Sequence, residues 1–410
     1  MIAGRRRAPV RLAALLALTA AAPAAAQLTD AGTPVRPPGW SVTPAVGVSE
    51  MWDDNPTLAA EGDVRIGDWV TAVQPSLALD FRGRRTTVRS DYAGTFDFYR
   101  ELNGLNTRDH RASLDFTHQA TRRIQLFARD QAMLSPTTAD ALDVSATVLR
   151  RQTTRMNAFS GGFESLLGRQ TTLNAAYVSQ WIEFANDNER TEPISPIPPS
   201  AELLLGGHSH GGTGALRHRL TQRFSIGADY EIQRAIVANG TETFDVQSAL
   251  AVSELALGPS TKASFGYGHA WLTAGDGFSD NGPAFDVGLE WTGRHSGATV
   301  RYGRTFLPSF GFGGTFQNEE LRASIRTALS RSLQWSGNFT ISDNDPLEPG
   351  DPSLRSISAR TALGWVIKRR LRFDAYVQHV SQDSGLAGGH VLRTRAGVQA
   401  TVSQTVRATQ

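Results

Sequence analysis

The sequence predicts an all-β protein: a transmembrane antiparallel up-and-down β-barrel of about eighteen strands, with about sixteen as the alternative count. Three observations lead to this prediction. Apolar and polar residues alternate with a period of two along most of the chain, which is the period of a β-strand. Tight turns alternate with longer polar connections, and the N-terminus has the composition of a secretory signal peptide.

The N-terminal segment predicts export from the cytoplasm. A basic leader is followed by an apolar stretch too short to span a bilayer, and then by Ala24-Ala25-Ala26, a small-residue cleavage site before Gln27. We therefore expect a signal peptide over residues 1–26, a periplasmic linker rich in Pro, Gly and Thr over 27–40, a barrel over 41–406 and a short tail over 407–410.

The composition excludes several classes of protein. Cleavage would remove four arginines and no acids from the 41 basic and 39 acidic side chains, leaving 37 against 39, so no nucleic-acid partner is expected. The chain has no cysteine, which excludes disulfides and cysteine–zinc sites, and no cofactor is expected. After the leader, no apolar run approaches about 18 residues, so the exported chain would enter a membrane only as a closed barrel.

The connections between predicted strands alternate in length. The short turns fall at residues 82–85, 119–123, 167–170, 220–223, 257–261, 292–297, 329–332 and 367–370. The longer connections fall at 51–67, 135–149, 185–207, 273–283, 307–317, 343–354 and 382–389, with shorter ones at 101–106 and 238–241. Tight periplasmic turns and long extracellular loops are typical of outer-membrane barrels.

The alternation also assigns side chains to two faces. In the hairpin over residues 76–99, Leu77, Leu79 and Phe81 share one face, and charged residues share the other. If the apolar face meets lipid, the charged face lines the lumen. The predicted lumen-lining residues are Arg85, Arg89, Asp91, Asp97, Arg129, Arg217, Arg219, Asp286, Glu290, Arg301, Arg322, Arg326, Arg360, Arg372, Asp374, Arg393 and Arg395. Arginine rows would favour anionic solutes; the alternative is that paired charges only fill and rigidify a wet interior.

Aromatic residues cluster toward the strand ends, as expected at the two membrane–water interfaces. The predicted interface aromatics are Trp69, Phe81, Phe98, Trp181, Trp271, Phe285, Trp291, Phe306, Trp335, Trp365 and Phe373. A soluble all-β protein is the alternative. Its strands usually have about five or six residues, whereas many strands here run to about ten or more, the length of a tilted membrane strand.

The opening of the barrel region carries a resemblance. Thr43-Pro44 lies in the first strand, Asp54-Asn55 in an acidic turn, and Pro75-Ser76-Leu77 in the second strand. This arrangement resembles the start of a family of bacterial outer-membrane β-barrel porins associated with exopolysaccharide production and export. The resemblance implies a location in the cell outer membrane of a Gram-negative bacterium and a link to exopolysaccharide export.

Three further patterns are weak signals for chemistry. His208 and His210 offer two imidazoles without a third metal ligand, and a glycine-rich loop edge explains them. The acidic segments at 51–56 and 342–352 lack the spacing of a calcium loop, and turn chemistry explains their Asp, Asn and Pro. No spacing ties a serine, histidine and acid together, so neither a metal site nor an enzyme is expected.

The expected function is therefore a porin-like channel or conduit, linked to exopolysaccharide export. The expected partners are outer-membrane lipid, the barrel-assembly machinery, and polysaccharide or polysaccharide-export components. The alternative is a structural or adhesive outer-membrane barrel with a closed lumen and partner-binding extracellular loops.

Overall fold

A computed structural model gives the structure of the protein, and it describes residues 39–135, 153–185, 206–237, 240, 242–308, 310, 315–347, 353–368, 370–383 and 389–409. The predicted signal peptide, most of the predicted linker, and the connections over 136–152, 186–205 and 384–388 lie outside the described residues. Within the described part, no helix is long and apolar enough to cross a membrane.

The described chain is almost entirely β-strand, with one 3-10 turn at Asn103–Leu105. The strands are β1 Gly39–Asp53, β2 Asp68–Arg82, β3 Thr86–Tyr99, β4 Thr107–Gln119, β5 Ile124–Ser135, β6 Thr153–Leu166, β7 Thr171–Ala185, β8 Gly207–Arg219, β9 Phe224–Val237, β10 Glu242–Ala256, β11 Thr261–Ala274, β12 Ser279–Thr292, β13 Ser296–Pro308, β14 Thr315–Ala328, β15 Leu333–Pro346, β16 Leu354–Lys368, β17 Leu371–Asp383, β18 His390–Ser403 and β19 Val406–Thr409.

The strands close into one antiparallel barrel. Each strand pairs with its neighbours in the chain, and β1 closes the wall by pairing with β2 on one side and with β18 and β19 on the other. The pairs Ala45↔Ser403 and Val42↔Val406 belong to one uninterrupted register, so β18 and β19 are two parts of a single wall strand. The described barrel therefore has eighteen strands, which confirms the predicted fold.

Proline explains why that last strand is divided. Opposite the gap, the Gln404 N–H donates to the Pro44 carbonyl at 3.1 Å. In a strand, the N–H and C=O of one residue point to the same side, so the missing Pro44 N–H is the donor that would have completed this ladder. The strand resumes beyond the gap and reaches Thr409, within the predicted tail, while β1 begins at Gly39, within the predicted linker.

A second proline leaves part of the wall unpaired. The β12–β13 ladder runs only from Thr292↔Gly297 to Phe285↔Arg304, although both strands continue toward the long connections. The Thr292 N–H donates to Ser260 on the β11 side, so alternation places the N–H position of Pro283 toward β13. Because proline has no hydrogen to donate there, the ladder stops.

Connections alternate in length as the sequence indicated, and they define two ends of the barrel. The turn end carries the short connections, for example 83–85 and 293–295, and the loop end carries connections such as 54–67 and 100–106. The strands are longer than expected at the loop end. β11 continues to Ala274 and β12 starts at Ser279, which leaves only residues 275–278 of the connection predicted over 273–283.

The two faces of the wall differ in chemistry. The outer face carries exposed apolar side chains such as Trp40, Leu77, Phe265, Trp291 and Trp365. On the half of the described strands nearest the turn end, this outer face carries no Asp, Glu, Lys or Arg. Cross-strand ion pairs appear on the outer face only toward the loop end, as in Arg234–Asp245 at 2.6 Å.

The inner face holds the apolar core of the molecule at the loop end. Ile182, Phe244, Leu272, Phe306 and Phe310 are all nearly inaccessible and belong to one interior apolar cluster. Phe310 follows β13 but packs against Gly207 of β8, a contact that only the inside of a barrel permits. This cluster narrows the loop end of the lumen on the side of β7 to β13.

Candidate functional site: the lumen of the barrel

The register places nearly all predicted lumen residues on the inner face. Arg89, Asp91, Asp97, Arg129, Arg217, Arg219, Asp286, Glu290, Arg301, Arg322, Arg326, Arg360, Arg372, Asp374, Arg393 and Arg395 lie on the face opposite the exposed apolar side chains. Arg85 differs, because it lies in the turn between β2 and β3 and outside both strands.

The predicted aromatic residues occupy the outer face with one exception. Trp69, Phe81, Phe98, Trp181, Trp271, Phe285, Trp291, Trp335, Trp365 and Phe373 share the face of the exposed apolar side chains. The prediction for Phe306 is wrong: only 4% of it is exposed, and it packs in the interior apolar cluster. Phe306 lies beyond the point where β13 stops pairing with β12. Only β14 still pairs with β13 at this level, and the ring packs beside Gly282 of β12.

Ion pairs line the water-accessible part of the lumen. Arg129 pairs with Asp115 at 3.2 Å, and these side chains remain 67% and 52% exposed. Arg217 Nη2 donates to Asp229 Oδ2 at 2.8 Å and Arg217 also reaches Glu254, whose side chain is 54% exposed. Inner-face charges with this exposure indicate a wet lumen at their level, because the wall itself shields them from outside solvent.

At the loop end a buried charge network joins the first and last strands. Asp53, with no exposed side-chain area, accepts hydrogen bonds from Arg393 Nε at 3.0 Å and from Arg395 Nε at 3.2 Å. The backbone N–H of Asn55 donates to the same carboxylate at 3.2 Å, and Asn55 Nδ2 donates to the Leu392 carbonyl at 2.9 Å. The network fixes the seam at which the barrel closes.

Sequence reasoning missed Asp53 and Asn55 as interior residues, because both lay within a connection predicted over 51–67. It also missed a buried amide cluster at the loop end. Asn318 Nδ2 donates to Asn344 Oδ1 at 2.7 Å and to Ser342 Oγ at 3.2 Å. The period-two alternation of β14 and β15 could have placed these three residues together, but the connection predicted over 343–354 ended β15 too early.

Charges on the inner face are sorted around the barrel. On described β6 to β12 the inner-face carboxylates are Glu164, Asp229, Glu231, Glu242, Glu254, Asp280, Asp286 and Glu290, and the cations are Arg217, Arg219 and Lys262. On described β13 to β18 the arginines are Arg301, Arg322, Arg326, Arg360, Arg372, Arg393 and Arg395, and the carboxylates are Glu320 and Asp374. The sector of the wall over β6 to β12 is therefore mainly acidic, and the adjoining sector over β13 to β18 is mainly basic.

The histidine pair and the described aspartates of the 342–352 segment lie on the outer face, whereas Asp53 of the 51–56 segment is buried in the seam network. His208 and His210 lie in β8 rather than in a loop, and their rings stack at 6.4 Å between centroids. Asp343 and Asp345 lie in β15, whereas Glu348 and Asp351 fall outside the described residues. Among the residues that the structure describes, no group of three or more His, Cys, Asp or Glu side chains is placed to hold a metal ion.

The site is thus the charged lumen of a closed antiparallel β-barrel. No protein-family model matches the chain, and no curated protein matches it. Among solved structures, Pseudomonas aeruginosa OpdQ is 9% identical, with 90% of this chain and 98% of that chain covered and a TM-score of 0.43. Pseudomonas aeruginosa OccK5 (OpdH) is 11% identical, with 90% and 98% covered and a TM-score of 0.44.

A third similar structure is the FrpB iron transporter from Neisseria meningitidis (F3-3 variant). It is 10% identical, with 84% of this chain and 62% of that chain covered and a TM-score of 0.43. Matches of this kind do not pair individual residues of this chain with residues of those structures.

Proposed function

We propose that the protein is a non-enzymatic outer-membrane barrel that forms a porin-like channel for hydrated solutes. The observation that carries the proposal is a closed wall with an apolar exterior around a charged, water-accessible lumen. A soluble barrel would invert this arrangement, because its interior would hold the apolar side chains and its exterior would face water.

The strand lengths support a membrane position near the turn end. The strands have between 12 and 15 residues where they cross the wall, more than the about 9–11 that a tilted membrane strand needs. The outer face has its apolar band on the half nearest the turn end and its ion pairs toward the loop end. The surplus length would therefore project beyond the bilayer, with the short turns on the periplasmic side.

Two measurements test this proposal. A folded barrel should migrate differently in gels before and after boiling, and it should conduct ions in planar lipid bilayers. Correctly folded protein without conductance would favour the alternative, a structural or adhesive barrel with a closed lumen.

A cysteine pair on β4 tests whether the current flows through the lumen. The chain has no native cysteine, so Ser113→Cys on the inner face and Ala112→Cys on the outer face differ only in direction. A charged thiol reagent should change the conductance of the Ser113→Cys channel and leave that of the Ala112→Cys channel unchanged. Equal responses would exclude the lumen as the ion path.

The finer proposal is that this conduit serves exopolysaccharide export. Its support is the resemblance of Thr43-Pro44, Asp54-Asn55 and Pro75-Ser76-Leu77 to porins associated with that process. Deletion of the gene should then reduce the yield of extracellular polysaccharide and leave the cell envelope otherwise intact. An unchanged polysaccharide yield would reject this role and leave the channel proposal intact.

A further inference from the structure

The basic sector of the wall, β13 to β18, contains arginines that have no salt-bridge partner among the described residues. Among the described residues, Arg301, Arg326 and Arg360 form no salt bridge, and all three are exposed on the inner face. In contrast, Arg372 pairs with Asp374 at 2.6 Å, and Arg393 is buried against Asp53. Paired arginines have an evident structural role, whereas the exposed ones present unpaired donors to the lumen.

Two arginines are also direct cross-strand neighbours. Arg301 on β13 lies opposite Arg322 on β14 in the register, with both side chains on the inner face. Like charges directly opposite each other destabilise a strand pair, so the Arg301–Arg322 pair is unfavourable in the empty barrel. Arg322 is neutralised in part by Glu320. Arg301 forms no salt bridge, although Asp286 on β12 lies diagonally across from it and attracts it. An anion between the two guanidinium groups would remove the repulsion.

The strand register joins these residues into a continuous path along the lumen. From Arg301 and Arg322, the cross-strand positions run through Thr340, Ser358 and Val380 to Arg393. The adjacent row runs from Ser324 through Asn338, Arg360 and Gln378 to Arg395. We name the set Arg326, Arg322, Arg301, Arg360 and Arg395 the arginine path. Arg393, at the end of the first row, is buried against Asp53 and does not belong to it.

The arginine path climbs through the barrel because the strands are staggered. Arg326 is the third residue from the turn end of β14, and Arg395 is the sixth residue from the loop end of β18. Arg360 and Arg395 lie two strands apart in the same row, which corresponds to about 10 Å. The path is an extended series of single cations and not one converging pocket.

The groups between the arginines suit a polyhydroxylated ligand. Asn338 and Gln378 flank Arg360 in the register, and Thr340 and Ser358 lie in the neighbouring row, so amide and hydroxyl groups alternate with guanidinium groups. The Arg360 guanidinium also stacks over the Tyr376 ring at 4.8 Å, which holds it in place without neutralising its charge.

We propose that the arginine path binds an extended acidic oligosaccharide, with successive carboxylates on successive arginines and hydroxyl groups on the amide and hydroxyl side chains between them. The inference rests on the proposed channel function and names the class of solute that the channel selects. Arginine suits carboxylates because it donates two parallel hydrogen bonds. The adjoining acidic sector begins on β12 with Asp286 and Glu290, whose strand pairs with β13, and it repels the same ligand on that side of the path.

The test uses channels in planar bilayers with three added probes: oligogalacturonate, neutral maltohexaose and the compact anion citrate. The variant is Arg301→Gln/Arg326→Gln/Arg360→Gln, and the matched control is Arg129→Gln, an exposed inner-face arginine on β5 away from the path. We expect oligogalacturonate to block the wild-type current at concentrations at least about tenfold below those of maltohexaose and citrate. The triple variant should lose that preference, while the control should keep it.

The possible outcomes distinguish failure of the proposed channel from failure of the proposed ligand. Absence of conductance in folded wild-type protein would reject the channel itself. Conductance with equal block by oligogalacturonate and maltohexaose, or with undiminished block in the triple variant, would overturn the proposed ligand. Block by citrate as strong as that by oligogalacturonate would overturn the extended path. The heat-dependent gel shift shows whether the triple variant has folded, and the zero-current potential in a KCl gradient should fall toward cation preference in that variant.

Discussion

Replacement of Asp53 by Asn should strongly destabilise the barrel, because Asp53 neutralises buried arginine at the seam between β1 and β18. Asp53 has no exposed side-chain area and Arg393 retains only 6%. Removing one partner of a buried ion pair costs about 3–5 kcal/mol, since the remaining charge stays buried without compensation. The equivalent loss in the folding equilibrium constant is roughly two to nearly four powers of ten.

An exposed pair on the same inner face provides the control for this substitution. Arg89 and Asp91 are 2.7 Å apart with 35% and 29% of their side chains exposed. Water screens such a pair, so Asp91→Asn should cost only about 0–1 kcal/mol. The two substitutions remove the same charge from the same type of side chain and differ mainly in burial.

The assay is equilibrium unfolding in urea of barrels reconstituted in phospholipid micelles, followed by tryptophan fluorescence. The double variant Asp53→Leu/Arg393→Met removes both charges and should recover most of the lost stability, because apolar side chains need no compensation. If Asp53→Asn costs no more than Asp91→Asn, the seam network does not hold the barrel closed and the reasoning fails.

Three further predictions concern local contacts. Phe306→Ala should cost about 3–5 kcal/mol because the ring is buried in the interior apolar cluster, while Phe98→Ala, 49% exposed, should cost clearly less in the same urea assay; equal costs would contradict the inward placement of Phe306. Pro283→Ala restores an N–H donor toward β13, so the new amide should show slow hydrogen exchange. The free energy of unfolding should change by no more than about 1 kcal/mol, because the added hydrogen bond and the lost rigidity of proline have opposite effects. A fast-exchanging amide would show that the ladder does not extend. The hydrogen bond and charge of His390 lower the pKa of Glu61 from its ordinary value of 4.5. The contact between ionised Glu61 and His390 therefore stabilises the 54–67 connection at pH values above 4.5, and this stabilisation is lost as the pH falls through the lowered pKa. Exchange protection of the Glu61 amide, which donates to the His390 carbonyl at 2.7 Å, should therefore fall on acidification in wild type, whereas a similar fall in Glu61→Gln would refute the role of the carboxylate.

The prolines show how far local sequence reasoning reaches. Pro44 and Pro75 lie in the first two predicted strands, and in the structure each coincides with a gap in a ladder. A missing N–H predicts a gap in a ladder. Which of the two neighbouring strands loses its pairing depends on the direction in which the N–H of that residue would point in the sheet. Pro283 carried no distinct signal in the sequence, because the segment around it was predicted as a loop.

The sequence by itself determined the strands, the alternating connections and the face of nearly every charged side chain, because period-two alternation is a local property of the chain. Only the tertiary structure decided which charges meet. Asp53 and Arg393 are 340 residues apart, and the arginine path exists because six strands share one stagger. The alternation of β13 also pointed Phe306 outward, but β12 does not pair with β13 at that level. Its ring therefore packs in the interior, where burial of apolar surface is favourable.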